Sequence, residues 1–283
     1  MKTLLIDSNY LCYKAKLTTG FLEFNGMQTG IMFGFFNQLI KAAKKIEPDN
    51  VVFFWDSKQN KRKEIYPDYK KRNKDQTEEE KKEWEAAFQQ FNQISQSILP
   101  QLGLYNNFHQ KGYESDDLIA QYTMNKSKKE EIYVATSDDD MLQLLEYCSI
   151  LNLGKDITMT KTKFIEEYEL HPEQWASVKK IAGCNSDNVP GVSGVGEKTA
   201  IKYLKGDLKK TSKIYQRIKE SSDLIKFNEQ LVVLPFEGTM DVQSQITNNE
   251  FSMREFLRFC REYGLNSFRK DEKKDEVRKL FEK

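Results

Sequence analysis

Eight acidic side chains stand where a folded core would not choose them. Asp7 closes the apolar run Thr3-Leu4-Leu5-Ile6, and Asp56 closes Val51-Val52-Phe53-Phe54-Trp55. Asp138 follows Ile132-Tyr133-Val134-Ala135-Thr136-Ser137, with Asp140 two residues on. Glu114, Asp116 and Asp117 share the short stretch Glu-Ser-Asp-Asp, and Asp187 lies in Asn185-Ser186-Asp187-Asn188. If the three apolar runs are neighbouring parallel strands, these carboxylates converge on one sheet edge. Two carboxylates about 4 Å apart repel by roughly 4 kcal/mol at an effective dielectric near 20. A divalent cation relieves that repulsion, and an all-carboxylate set suits Mg²⁺ or Mn²⁺. Each acid alone also reads as a turn or helix-cap residue. Three acids in four residues at Glu114–Asp117 exceed what one cap uses.

The elements around these acids alternate. Strands are expected near 3–7, 50–55, 132–136 and 148–152, with a weaker one near 104–108. Between the first two, apolar residues at 31, 32, 35, 36, 39, 40, 43 and 46 follow a helical period, and Pro48 marks the end. The β-helix-β order predicts an α/β fold with a mainly parallel sheet and right-handed crossovers. Ligands bind beyond the carboxyl ends of such strands, where Asp7, Asp56 and Asp138 are placed.

After Asp56 the chain turns basic. From Lys58 to Lys74 it carries Lys58, Lys61, Arg62, Lys63, Lys70, Lys71, Arg72 and Lys74 against only Glu64 and Asp68, interleaved with Tyr66 and Tyr69. A solvated loop has this composition, and so does a nucleic-acid contact, in which aromatics stack on unpaired bases while cations hold the backbone. Thr77-Glu78-Glu79-Glu80 reads as a capping box opening a helix to about residue 97. Further on, a helix through Val178 and Ile181 leads to Pro190-Gly191-Val192-Ser193-Gly194-Val195-Gly196, and a second helix begins at Glu197. That order resembles a helix-hairpin-helix, whose glycines and free N–H groups approach phosphate. A mononucleotide phosphate loop and a plain helical turn are the competing readings. Glu197, between Gly196 and Lys198, breaks the P-loop pattern. The tail from Arg269 onward reads as an amphipathic helix or a frayed end.

Composition narrows the classes. The chain has 283 residues, 39% hydrophobic and 31% charged, with a net charge of +1. It is long enough for one large domain, or a domain with a smaller lobe. Its apolar runs are strand-sized, and an acid at position 7 comes too early for a signal peptide. Cys12, Cys148, Cys184 and Cys260 form no Cys-x-x-Cys pair, which fits a reducing cytoplasm and no structural zinc site. His109 and His171 stand far from any nucleophile signature, which argues against a Ser-His-Asp enzyme.

Taken together, the motifs resemble the 5′-nuclease family: bacteriophage 5′–3′ exonucleases and flap endonucleases, and the 5′-nuclease domain of bacterial DNA polymerase I. The matching stretches are Leu5-Ile6-Asp7-Ser8-Asn9, Phe54-Trp55-Asp56, Tyr66-Pro67-Asp68-Tyr69-Lys70, Gly112-Tyr113-Glu114-Ser115-Asp116-Asp117, Thr136-Ser137-Asp138-Asp139-Asp140, and Ser186-Asp187-Asn188 through Thr199-Ala200. The resemblance spans roughly residues 2 to 235. It implies a PIN-like nuclease domain over 1–170, with a helical arch at about 58–98, and a helix-hairpin-helix lobe with C-terminal helices over 171–283. It implies hydrolysis of DNA near 5′ single-strand/duplex junctions, with flaps, nicks, free 5′ ends and possible RNA–DNA hybrids as substrates. A monomer in the cytoplasm with replication proteins as partners is expected, and no membrane association.

Carried over position by position, Asp7, Asp56, Glu114 and Asp116 would hold one Mg²⁺ or Mn²⁺, and Asp117, Asp138, Asp140 and Asp187 a second. Lys70 and Arg62 would stabilise charge on the phosphate, and Tyr69 would stack on a terminal base. Gly191, Gly194, Gly196, Lys198 and Thr199 would grip duplex. K⁺ would sit on the carbonyls of Ile181, Ala182, Pro190, Val192 and Val195. Three departures stand out. Cys184 replaces an acid of the second site, Asp139 stands where relatives often carry Lys, and Asn73 occupies the position of the arch arginine. A DNA-binding factor with a weakened site and a PIN-like ribonuclease remain as alternatives. The glycine hairpin is what the ribonuclease family lacks.

Overall fold

Strand β1 (Lys2–Asp7) runs between β4 (Asn50–Trp55) and β6 (Glu131–Ala135), parallel to both. This is a computed structural model, and it describes residues 1–71, 77–126 and 130–282. Arg72, Asn73 and Lys74 of the basic stretch lie outside the described residues. Beyond β4 lies β5 (Asn107–His109), also parallel; beyond β6 lie β7 (Ser149–Asn152), parallel, and β8 (Ile157–Met159), antiparallel. The sheet order is therefore β5-β4-β1-β6-β7-β8. The central strands are buried on both faces, which is why they read as unbroken apolar runs. The weak strand foreseen near 104–108 is shorter and later. Leu104 is instead buried beside a turn that follows a helix.

The connections place the acids. Helix α1 (Ser8–Thr19) follows β1 directly; β2 (Glu23–Phe24) and β3 (Met27–Gln28) form a small separate hairpin, and α2 (Gly30–Ile46) leads into β4. The chain then goes through α3 (Arg62–Ile65) and α4 (Glu78–Gln93), a π-helical turn at Ile94–Ile98, and α5 (Leu99–Gln101) to β5. The Thr77/Glu80 capping box is formed as expected. Helix α4 buries Ala87, Gln90 and Phe91, and Gln90 Oε1 accepts from the N–H of Ile31 at 3.2 Å, anchoring it to the start of α2. Next, α6 (Ser115–Asn125) crosses to β6 on the other side of β1. The sheet order thus reverses at β1, and the crevice at its carboxyl end lies between β4 and β6.

After β8 and α7 (Lys161–Tyr168), helices α8 (Trp175–Ala182), α9 (Glu197–Lys205), α10 (Lys213–Glu220) and α11 (Ser222–Val232) share one buried cluster with α6 and one sheet face. The final helices do not join them. Helices α12 (Met253–Glu262) and α13 (Asp271–Phe281) return to α2, where Phe36 meets Phe259 of α12 at 5.0 Å and Phe33 stacks at 5.3 Å on Phe268 of the turn between the two helices. A division at residue 170 would assign them to the hairpin lobe. Their aromatic faces put them on the opposite sheet face, in the cluster built by α1 and α2. The tail is helical through Phe281, with Val277 and Leu280 buried. Among the described residues, no helix is long and apolar enough to cross a membrane.

Candidate active site

The carboxyl ends of β1, β4 and β6 bring Asp7, Asp56 and Asp138 together, Asp7 as the last residue of its strand and the other two just past theirs. Asp7 caps α1, with Oδ1 accepting from the N–H of Tyr10 at 3.1 Å. Asp138 caps the 3₁₀ turn Asp139–Leu144 through the N–H of Asp140 at 2.8 Å. Glu114 is the N-cap of α6. The plain capping role and the convergent cluster are thus both true. Helix N-termini face the site, and their dipoles favour negative charge there.

Hydroxyl and amide donors draw the first acids close. Ser115 Oγ lies 2.9 Å from Asp56 Oδ1 and 3.2 Å from Asp7 Oδ1, and the Ser115 N–H donates to the same Asp56 oxygen at 2.9 Å. Thr136 Oγ1 donates to Asp7 Oδ2 at 2.9 Å. Among the described residues, nothing donates a hydrogen bond to the Asp116 carboxylate, which stands among Asp7, Asp138 and Glu114. Burial and then the neighbouring Asp56 push the Asp7 carboxyl up to about 7. Burial and Asp140 raise Asp138 to about 6. Burial followed by Glu114 raises Asp56, and burial followed by Asp7 and Asp138 holds Asp116 well above the carboxylate range. A string of acids in this condition, with too few protein cations, is a site shaped for added positive charge.

Lys70 is a partly exposed basic side chain that reaches this string. Its ammonium pairs with Glu114 and lies 3.8 Å from Asp187 Oδ2, while its backbone N–H donates to the Asp187 carbonyl at 2.8 Å. Its φ of +50° is a conformation a lysine rarely adopts, held here by those contacts. Burial would raise Glu114, but Lys70 and Arg62 reverse that and leave it below its ordinary value.

Three expected roles change. Arg62 is only 2% exposed, and its guanidinium forms a two-pronged bond to Asp117, 2.7 Å on each side, with Nε donating to the Leu231 carbonyl at 2.9 Å. It is an internal strut rather than a phosphate contact. Asp117 is fully buried, and its oxygens also accept from the N–H groups of Phe236 (2.9 Å) and Glu114 (3.2 Å). Fully buried and held on both oxygens by the Arg62 guanidinium, Asp117 is committed to that ion pair rather than to a metal. Tyr69 is 3% exposed, and its ring packs with Val189, Leu231 and Val232, so it cannot stack on a base. Its hydroxyl instead donates to Glu114 Oε2 at 2.9 Å and lies 3.3 Å from Asp187 Oδ2.

At the far end of the string, Asp140, Cys184 and Asp187 each place a ligand atom within 4.8 Å of the other two. Burial, then Asp140 and Asp187, push the Cys184 thiol up to about 11. Lys179, absent from the sequence expectations, bridges Asp140 Oδ1 at 3.0 Å and Glu197 Oε1 at 2.8 Å, linking this end to the first residue of α9. A cation on the face of α8 carries no signal of that role. The glycine hairpin lies between α8 and α9 as expected. A Cβ on Gly191 would meet the Ala182 carbonyl at 1.9 Å, whereas one on Gly196 would meet nothing within 4 Å. Arg217 of α10 was also unforeseen, and Nη1 donates to the Ser193 carbonyl at 2.8 Å. Of the carbonyls assigned to K⁺, those of Ile181, Pro190 and Val192 already accept from Val192 N–H, Asn228 Nδ2 and Val195 N–H.

Comparison with known proteins gives a consistent placement. Residues 2–169 match the family described as 5'-3' exonuclease, N-terminal resolvase-like domain, and residues 170–255 match 5'-3' exonuclease, C-terminal SAM fold. The chain is 30% identical to a Bacillus subtilis 5'-3' exonuclease over 89% of this chain and 81% of that one. It is 27% identical to a Mycoplasmopsis pulmonis 5'-3' exonuclease over 95% and 94%. Its fold is similar to that of the T5 D15 protein co-crystallized with metal ions, at a TM-score of 0.72 and 21% identity, over 83% of this chain and 90% of that one. Adjoining matches to the two halves of one enzyme, and near end-to-end similarity to named exonucleases, show that this chain belongs to the 5′–3′ exonuclease family and is a nuclease.

Proposed function

We propose that the chain is a divalent-metal-dependent, structure-specific 5′ nuclease that cuts DNA where a single-stranded 5′ arm meets duplex, in replication or repair. The observation that carries this is the acid string from Asp56 through Asp7, Asp116 and Asp138 to Asp187, whose carboxyls are raised by burial and mutual repulsion. The oxygen donors of Asp7, Asp56, Glu114 and Asp116 fit Mg²⁺ or Mn²⁺, and Asp138, Asp140 and Asp187, with Cys184 beside them, offer a place for a second divalent ion. When bound, such ions supply Lewis acidity and lower the pKa of attacking water. Ser115 and Thr136 orient Asp7 and Asp56. Lys70, anchored by Glu114, is the group that meets the phosphate and stabilises its developing charge. The hairpin and the start of α9, with Lys198 and Thr199, hold the duplex by its backbone without reading sequence. The basic stretch before α4 guides the 5′ arm, and binding should weaken steeply with salt.

The test is digestion of end-labelled 5′-flap, nicked and single-stranded DNA, with and without Mg²⁺ or Mn²⁺, beside Asp116→Asn. Metal-dependent cutting near the junction is expected, and the variant should bind DNA but not cut it. Full cleavage in a chelator, or by Asp116→Asn, would overturn the reading. Substituting RNA in the 5′ arm tests hybrid substrates in the same assay.

A further inference from the structure

The two ends of the acid string differ in chemistry. Asp7 takes hydroxyl and amide donors on both oxygens, and Asp56 takes them on Oδ1, as described above. At the far end donors are sparse. Among the described residues Asp140 Oδ1 meets the Lys179 ammonium, at 3.0 Å, and the Asp187 carboxylate takes a long 3.3 Å contact from Tyr69 and has the Lys70 ammonium at 3.8 Å. Cys184 Sγ touches a single hydroxyl, Ser186 Oγ, at 3.0 Å. The thiol is not alone, because it and the two carboxylates offer three ligand atoms within 4.8 Å of one another. Its position is fixed by backbone: Cys184 and Val189 exchange both N–H···O bonds, at 3.0 and 2.9 Å, across the turn that precedes the hairpin. The side chain can therefore change without moving the turn.

We propose that Asp140, Cys184 and Asp187 form a mixed sulfur–carboxylate site that selects a thiophilic divalent cation of the Zn²⁺ or Cd²⁺ type over Mg²⁺. The Asp7–Asp116 end keeps a hard, all-oxygen donor set. Mg²⁺ demands oxygen ligands in near-octahedral geometry and gains nothing from sulfur. A softer ion takes sulfur and carboxylate together in a compact tetrahedral set, and the thiol proton leaves to solvent as it binds. One chain would then hold two cation positions of different preference. The inference deepens the nuclease reading and rests on it for placing a cation at this end.

Cd²⁺ titration of the full chain, followed by the ultraviolet sulfur-to-cadmium charge-transfer band, tests this directly. The wild type should show one saturable band, lost in Cys184→Ser. The other three cysteines are buried, at 0%, 9% and 0% exposure for Cys12, Cys148 and Cys260. Excess Zn²⁺ should compete the band down, and Mg²⁺ should fail to do so at about a hundredfold excess. In Cys184→Asp the band should vanish while calorimetric Mn²⁺ binding remains, so that a lost band reports the sulfur and not a misfolded site. No band in the wild type, a band that survives Cys184→Ser, or ready displacement by Mg²⁺ would each overturn the proposal. Flap cleavage in Mg²⁺ is read on the same preparations. If cleavage fails in Mg²⁺, in Mn²⁺ and in Mg²⁺ with stoichiometric Zn²⁺ while the band is intact, the nuclease reading falls and the sulfur site stands.

Discussion

Lys70 and Arg62 carry the same charge into the same crevice and end in different employment. Arg62 is sealed against Asp117 with four of its five N–H groups bonded, while Lys70 keeps about a third of its side chain exposed beside Glu114. Removing one partner of a buried pair leaves the other charged and unsatisfied, at a cost of about 3–5 kcal/mol. Arg62→Ala should therefore lower the denaturation midpoint strongly, and whatever folded protein remains should still cleave. Lys70→Ala should unfold close to wild type and lose about a hundredfold in single-turnover rate, the scale of one lost charge-stabilising donor. Denaturant unfolding and single-turnover cleavage of both variants separate the roles; a catalytic loss in Arg62→Ala without a stability loss would restore it as a phosphate contact. The sequence shows both cations and all eight acids. It cannot show that Asp117 is the acid Arg62 neutralises, because the pairing spans 55 positions and joins α3 to α6 only in three dimensions.

At the scale of elements, the local signals are the readable ones. The 3.6-residue period of α2, the capping box of α4 and the apolar runs of β1, β4 and β6 each follow from neighbours in the chain. Contacts between elements are less readable: Lys179 bridging Asp140 to Glu197, Arg217 reaching Ser193, and the return of α12 and α13 to α2 all depend on packing. The hairpin shows both kinds. Its glycines are visible in sequence, but which of them serves the fold and which the ligand is decided by surroundings. Gly191 lies against the Ala182 backbone, so Gly191→Ala should strain the hairpin and lower thermal stability. Gly196 caps α9 beside open space. Gly196→Ala should keep the unfolding temperature within a few degrees yet weaken nicked-duplex binding by about 1.5 kcal/mol or more, the scale of a hydrogen bond to a charged group. Equal affinity of Gly196→Ala and wild type in a fluorescence-anisotropy titration would remove that residue from the duplex contact.

For the whole molecule, the sheet must bring together carboxylates that repel, and the two apolar clusters on its faces supply the opposing stabilisation. The consequence is a pH dependence of opposite sign to that of a paired carboxylate. Asp7 and Asp138 are raised from 3.8 to about 7 and about 6, so the folded chain holds protons there that the unfolded chain has released. Stability linked to these groups is present below the unfolded value and is lost as pH rises toward the folded values, between about pH 4 and 7. Glu114, lowered by Lys70 and Arg62 despite its burial, acts the other way and loses its contribution only in more acid solution. In a chelator, the unfolding temperature should therefore fall from about pH 5 to pH 8. Added Mn²⁺ binds only the folded cluster, so it should raise the curve most at the alkaline end, where protons no longer compete for the carboxylates. Thermal unfolding across pH, with chelator and with Mn²⁺, measures both slopes. A chelated protein that gains stability over that range would show that the raised carboxyls do not exist in solution, and with them would go the physical case for a cation at this sheet edge.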